Sequence, residues 1–71
     1  MRKIIIFESV HFTIKADKYL KEMGVNYKII TTPREISSEC GMSIETPVSD
    51  FEYIKKLLDE KEFKMTVYEV E

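Results

Sequence analysis

The chain has 71 residues, with 11 Lys and Arg against 13 Asp and Glu, a net charge of −2, and a single cysteine, Cys40. That length holds one small α/β domain over residues 1–71, with a thin core, because so short a chain buries only about 60% of the surface its unfolded form exposes. Charges of mixed sign give no clustered phosphate neutralisation, so no nucleic-acid partner is expected, and one Cys with one His supplies neither an internal disulfide nor, within one copy, a zinc ligand set.

The opening Met1-Arg2-Lys3-Ile4-Ile5-Ile6-Phe7 imitates a secretory signal only briefly, since its apolar run is too short and no small-residue cleavage site follows. Ile4 to Phe7 instead predicts a central strand, apolar on both alternating sets. Ser9 offers a helix N-cap. Phe12, Ala16, Leu20 and Met23 then form one stripe of an amphipathic helix, with Lys15, Lys18, Lys21 and Glu22 on its wet side and Gly24 as its C-terminal stop. Val25, Tyr27 and Ile29 alternate with Asn26 and Lys28, which predicts a second strand running to Thr32, where Pro33 ends it.

Residues 33–41 have neither period and form the longest irregular stretch. Met42 and Ile44 alternate with Ser43 and Glu45 in a third strand that Pro47 closes. Ser49 with Glu52 reads as a capping box, and Phe51, Ile54, Leu57 and Leu58 give a second helix its buried face. Residues 63–70 read as the last strand, with Met65 and Val67 inward. The four tyrosines, Tyr19, Tyr27, Tyr53 and Tyr68, read as packing residues.

The order βαββαβ with right-handed crossovers predicts an α+β, ferredoxin-like two-layer sandwich. It has a four-stranded antiparallel sheet in the order 4-1-3-2 and two helices on one face. The other face is left open, which makes it a candidate surface for a homodimer. No segment approaches the length that spans a bilayer, so no membrane partner is expected, and a lone cysteine suits a reducing compartment; the cytoplasm is the expected location.

This topology places the turn Glu8-Ser9-Val10-His11 and the 32–41 loop at one edge of the sheet. Cys40 then faces the first helix at its N-terminus, whose unpaired N–H groups favour an anion such as a thiolate. His11 in the first helical turn and Arg34 in the cysteine's own loop favour the anionic sulfur further. Gly41 admits backbone conformations closed to other residues and lets another molecule approach. Against this stand plainer readings: Cys40 as a small buried hydrophobe, His11 as a solvated side chain, Ser9, Ser37 and Ser38 as caps and turn residues. With two glycines there is no Gly-rich phosphate loop, and without a CxxC pair no iron–sulfur cluster, so no cofactor is expected. The domain is also too small to wall in a substrate, so enzyme action by this chain alone is not expected.

Phe7-Glu8-Ser9 with His11, Lys15-Ala16, Leu20-Lys21 and Gly24, followed by Thr32-Pro33-Arg34-Glu35-Ile36-Ser37-Ser38 and Cys40-Gly41, resemble the small selenium/sulfur carrier-like proteins. The resemblance covers nearly the whole chain, and the 32–41 loop is its most specific part. It implies that Cys40 holds a persulfide or selenosulfide, with Ser9, His11, Arg34 and Ser37 or Ser38 as neighbours and sulfur or selenium donor and acceptor proteins as partners. Val10 departs from the pattern, because a hydroxyl residue is expected between the serine and the histidine. The alternatives are a non-catalytic interaction module, in which Cys40 only packs, and a thiol redox sensor.

Overall fold

In the computed structural model, residues 2–36 and 41–70 are described. They form β1 (Arg2–Phe7), α1 (Val10–Met23), β2 (Lys28–Thr31), β3 (Met42–Pro47), α2 (Val48–Glu60) and β4 (Met65–Val70). The strands make one antiparallel sheet in the order β2-β3-β1-β4, which is the expected order viewed from the opposite edge. β1 sits in the middle because its apolar residues fill both faces: Ile4, Ile5 and Phe7 are all nearly inaccessible. Ile5 and Phe7 point to the helical layer and meet Ala16 and Leu20 of α1, Ile44 of β3, and Phe51, Ile54, Leu57 and Leu58 of α2. Burying each of these large side chains stabilises the fold by roughly 1.5–3 kcal/mol.

On the face without helices, Ile4 lies between its register partners Glu45 and Tyr68. The Arg2 guanidinium pairs with Glu45 there at 3.3 Å. Ile4 is 2% exposed and Ser43 0%, so self-coverage already closes the middle of this face.

The buried row of α1 is Thr13, Ala16 and Leu20, and the expected stripe members Phe12 and Met23 are exposed. Thr13 is buried because its hydroxyl donates to the Ser9 carbonyl four residues back at 3.2 Å. A small polar residue satisfied in this way lets the helix lie close to the sheet. Ser9 occupies the N-cap position in extended backbone, but its side chain makes no capping bond; its carbonyl instead takes the N–H groups of Phe12 and Thr13 at 3.1 Å. The expected capping box in α2 does not form. Pro47 turns directly out of β3 and stands as N-cap, so Ser49 falls inside the first turn. β2 begins at Lys28 rather than Val25, and the Tyr27 hydroxyl just before it donates to the backbone oxygen of Asp17 at 2.8 Å and to the Asp17 carboxylate. Burial, then the hydrogen bond to Asp17 and that residue's charge, push the Tyr27 hydroxyl up to about 12. Tyr53 and Tyr68 are exposed rather than packed.

Both helices stop the same way. Gly24 has φ 69°, and Val25 N–H reaches the Leu20 carbonyl at 3.4 Å. Glu62 has φ 60°, and Phe63 N–H reaches the Leu58 carbonyl at 3.1 Å. Each is a Schellman end, with the following apolar residue folded back on the core. In the first the left-handed residue is glycine; in the second it carries a Cβ, at a cost of about 1 kcal/mol. Chemical denaturation is therefore expected to show Gly24→Ala losing about 1 kcal/mol and Glu62→Gly gaining a similar amount. Loss of stability in Glu62→Gly contradicts this account of the helix ends.

Candidate functional site

The pairing of β1 with β3, from Arg2↔Pro47 to Ile5↔Ile44, carries the end of β1 alongside the start of β3. Pairing of β2 with β3 ends at Thr31↔Met42, and one further backbone bond, from Thr32 N–H to the Gly41 carbonyl at 3.3 Å, closes the mouth of the connecting loop. That mouth therefore shares a sheet edge with Glu8, Ser9 and the start of α1, as the topology requires. Pro33 opens a tight turn in which Ile36 N–H returns to the Pro33 carbonyl at 3.0 Å, with Arg34 and Glu35 exposed at its middle. Cys40, Ser37 and Ser38 lie outside the described residues.

The first turn of α1 holds no acidic side chain, so the positive end of the helix is not compensated from within that turn. Ser9 and His11 are exposed there, and the His11 ring meets Phe12 edge-on at 5.6 Å between centroids. Among the described residues no hydrogen bond or ion pair joins Ser9, His11 and Arg34; they share an edge without touching. Gly41 is exposed at the mouth. A Cβ there meets nothing within 4 Å, which makes the position open to an approaching molecule for a reason of space alone.

Two hydroxyls near the loop were not signalled by the sequence reading. Thr32, at the mouth, is 6% exposed and Ser43 is fully buried, and among the described residues neither side-chain oxygen has a hydrogen-bond partner. The only trace in the sequence is the Thr31-Thr32 pair ahead of Pro33. A groove of about 360 Å³ lies beyond the start of α1, between Glu8, Phe12 and Lys15 on one side and residues 61–64 on the other. Its charges are of both signs and it is open to solvent, so it does not enclose a reacting molecule. Among the described residues no three His, Cys, Asp or Glu side chains are grouped to hold a metal ion, and none of the described helices is long and apolar enough to cross a membrane.

A family model described as "Putative Se/S carrier protein-like" matches residues 2–69. The chain belongs to this family. Neither curated proteins nor solved structures give a match. The Se/S-carrier-like match runs through all six secondary-structure elements and spans the positions of Ser9, His11, Arg34, Cys40 and Gly41.

Leaving a buried hydroxyl unpaired costs about 1–3 kcal/mol, which replacement by a shape-matched apolar group removes. Thr32→Val is accordingly expected to hold or raise the melting temperature, and Gly41→Ala to leave it unchanged within about 0.5 kcal/mol. A clear loss of stability in Thr32→Val shows instead that the hydroxyl has a partner.

Proposed function

We propose that this chain carries sulfane sulfur or selenium on Cys40, as a persulfide or selenosulfide, between a donor and an acceptor protein. The observation that carries the reading is the family match over residues 2–69. The loop geometry supports it: the bond from Thr32 N–H to the Gly41 carbonyl ties both ends of the cysteine-bearing loop to the sheet edge from which α1 starts. The partial positive charge of that helix end, with the exposed His11 and Arg34, favours an anionic terminal sulfur. Ser9, Ser37 and Ser38 supply hydroxyl donors, and Gly41 leaves room for the partner's thiol.

The transfer balances without an oxidant or reductant. The Cys40 thiolate attacks the outer sulfur of a donor persulfide; a new S–S bond forms on Cys40, the donor's S–S bond breaks, and the donor leaves as a thiolate. Delivery is the same exchange with an acceptor thiolate attacking. The chain contains no second cysteine, so no internal disulfide competes with the loaded form. The working unit is one domain over residues 1–71, and the chemistry suits a reducing compartment such as the cytoplasm.

Incubating the reduced protein with inorganic polysulfide, followed by intact mass spectrometry, is expected to add one sulfur that dithiothreitol removes. Cys40→Ser is expected to gain none. Equal, negligible uptake by the two proteins contradicts the carrier reading. Sulfenic acid or an intermolecular disulfide formed under mild oxidant, without sulfur uptake, replaces it with a redox sensor.

A further inference from the structure

Three side-chain hydroxyls, on Thr32, Ser43 and Thr46, are sealed from solvent without a hydrogen-bond partner among the described residues. Leaving such a group unpaired is costly, and an unpaired one marks strain, a functional role or a partner gained in another state. Two of the three stand together. Ile30 pairs with Ser43, and the bond from Thr32 N–H to the Gly41 carbonyl carries the same register one step past Thr31↔Met42. Side chains alternate along a strand, so Thr32, Ile30 and Ser43 share a face. It is the face without helices, since Ile44 and its register partner Ile29 belong to the core under the helices. Thr32 and Ser43 are therefore diagonal neighbours across the β2–β3 ladder, roughly 7 Å apart. Thr46 is separate: it pairs with Lys3 toward the far end of β3, on the opposite face.

Position narrows the choice for the pair at the loop mouth. Thr32 is 6% exposed and Ser43 0%, so bulk water does not serve them, and an acceptor has to come from the chain itself. Gly41, opposite Thr32, is bonded to Cys40. Opposite Cα atoms of paired strands are about 5.5 Å apart and those of bonded residues about 3.8 Å, so the chain keeps Cys40 within about 10 Å of Thr32. Loading the cysteine lengthens its side chain by one S–S bond, about 2 Å, and puts a negatively charged acceptor at its tip. Hydrogen bonds to charged acceptors are about twice as strong as neutral ones.

We propose that the Thr32 and Ser43 hydroxyls donate hydrogen bonds to the outer sulfur, or selenium, of loaded Cys40 and hold it at the mouth of the loop. The inference rests on the carrier reading and adds two residues which that reading does not use. No covalent bond is made or broken by the hydroxyls; sulfur arrives by the thiolate–persulfide exchange, and they turn toward it. The helix end, His11 and Arg34 act through their field, whereas these two act in contact. The unloaded protein keeps the pair unsatisfied, and loading satisfies it.

Intact mass spectrometry on protein loaded with inorganic polysulfide and then equilibrated with increasing glutathione reads how firmly Cys40 holds its sulfur. The glutathione thiolate takes the outer sulfur and leaves as the persulfide, and the Cys40 thiolate is restored. Thr32→Ser keeps a hydroxyl and is expected to half-unload at the wild-type glutathione concentration within about twofold. Thr32→Val/Ser43→Ala is expected to half-unload at about tenfold less glutathione, with Thr32→Val alone moving part of the way. Thr46→Val removes an equally buried, unpaired hydroxyl away from the loop and is expected to unload as wild type does. Equal unloading of wild type and the double variant overturns the proposal, as does an equal shift in Thr46→Val. A clear loss of stability in reduced Thr32→Val also overturns it, because the hydroxyl then has a partner in the unloaded protein. Wild type that takes up no sulfur brings down the carrier reading and this inference with it, whereas loading that is indifferent to the hydroxyls brings down this inference alone.

Discussion

The antiparallel pairing of β1 with β3 on one side and β4 on the other is the constraint from which the rest of the molecule follows. Three apolar residues of β1 are almost sealed, two against the helices and one against the sheet's other face. Because the side-chain period along a strand is two, a slip of one residue would turn Ile5 and Phe7 out of the helical layer and bring Ile4 and Ile6 in. The core therefore holds the register, and the register sets which ends of the chain meet. The exit of β1, the start of α1 and the mouth of the 32–41 loop come together at one edge as a consequence of the pairing, without any direct bond among Ser9, His11 and Arg34.

Much of this was legible in the residues. Runs such as Ile4-Ile5-Ile6-Phe7 and alternations such as Met42 to Glu45 carry strong periodic signals, and right-handed crossovers leave few ways to connect four strands and two helices. The errors lie where a local polar bond competes with a hydrophobic pattern. Thr13 displaced Phe12 and Met23 from the buried row because its hydroxyl found the Ser9 carbonyl, a bond that hydropathy does not register. Pro47 rather than Ser49 opened α2 because the chain turned straight out of a strand. Glu62 took a left-handed conformation that sequence reading assigns to glycine, held there by Phe63 folding back on the core.

At the candidate site the sequence carried the shared edge but not its details. His11 and Arg34 were singled out from the sequence, and both are exposed at this end of the fold. The buried hydroxyls of Thr32 and Ser43 were missed, since burial of a small polar side chain depends on neighbours from other strands. At Gly41 a Cβ would meet nothing within 4 Å. Exposed groups at a helix N-terminus influence a nearby charge only modestly in water, because solvent and salt screen them.

The account rests on Cys40 being a solvent-reachable sulfur whose anion is favoured by this edge. The direct measurement is the rate of Cys40 alkylation by iodoacetamide in the native protein as a function of pH, compared with the unfolded chain. The account predicts fast reaction and a half-maximal rate at a pH well below the value of about 8.5 typical of an ordinary thiol. A native protein that reacts far more slowly than the unfolded chain, or whose half-maximal rate lies at or above that value, contradicts it.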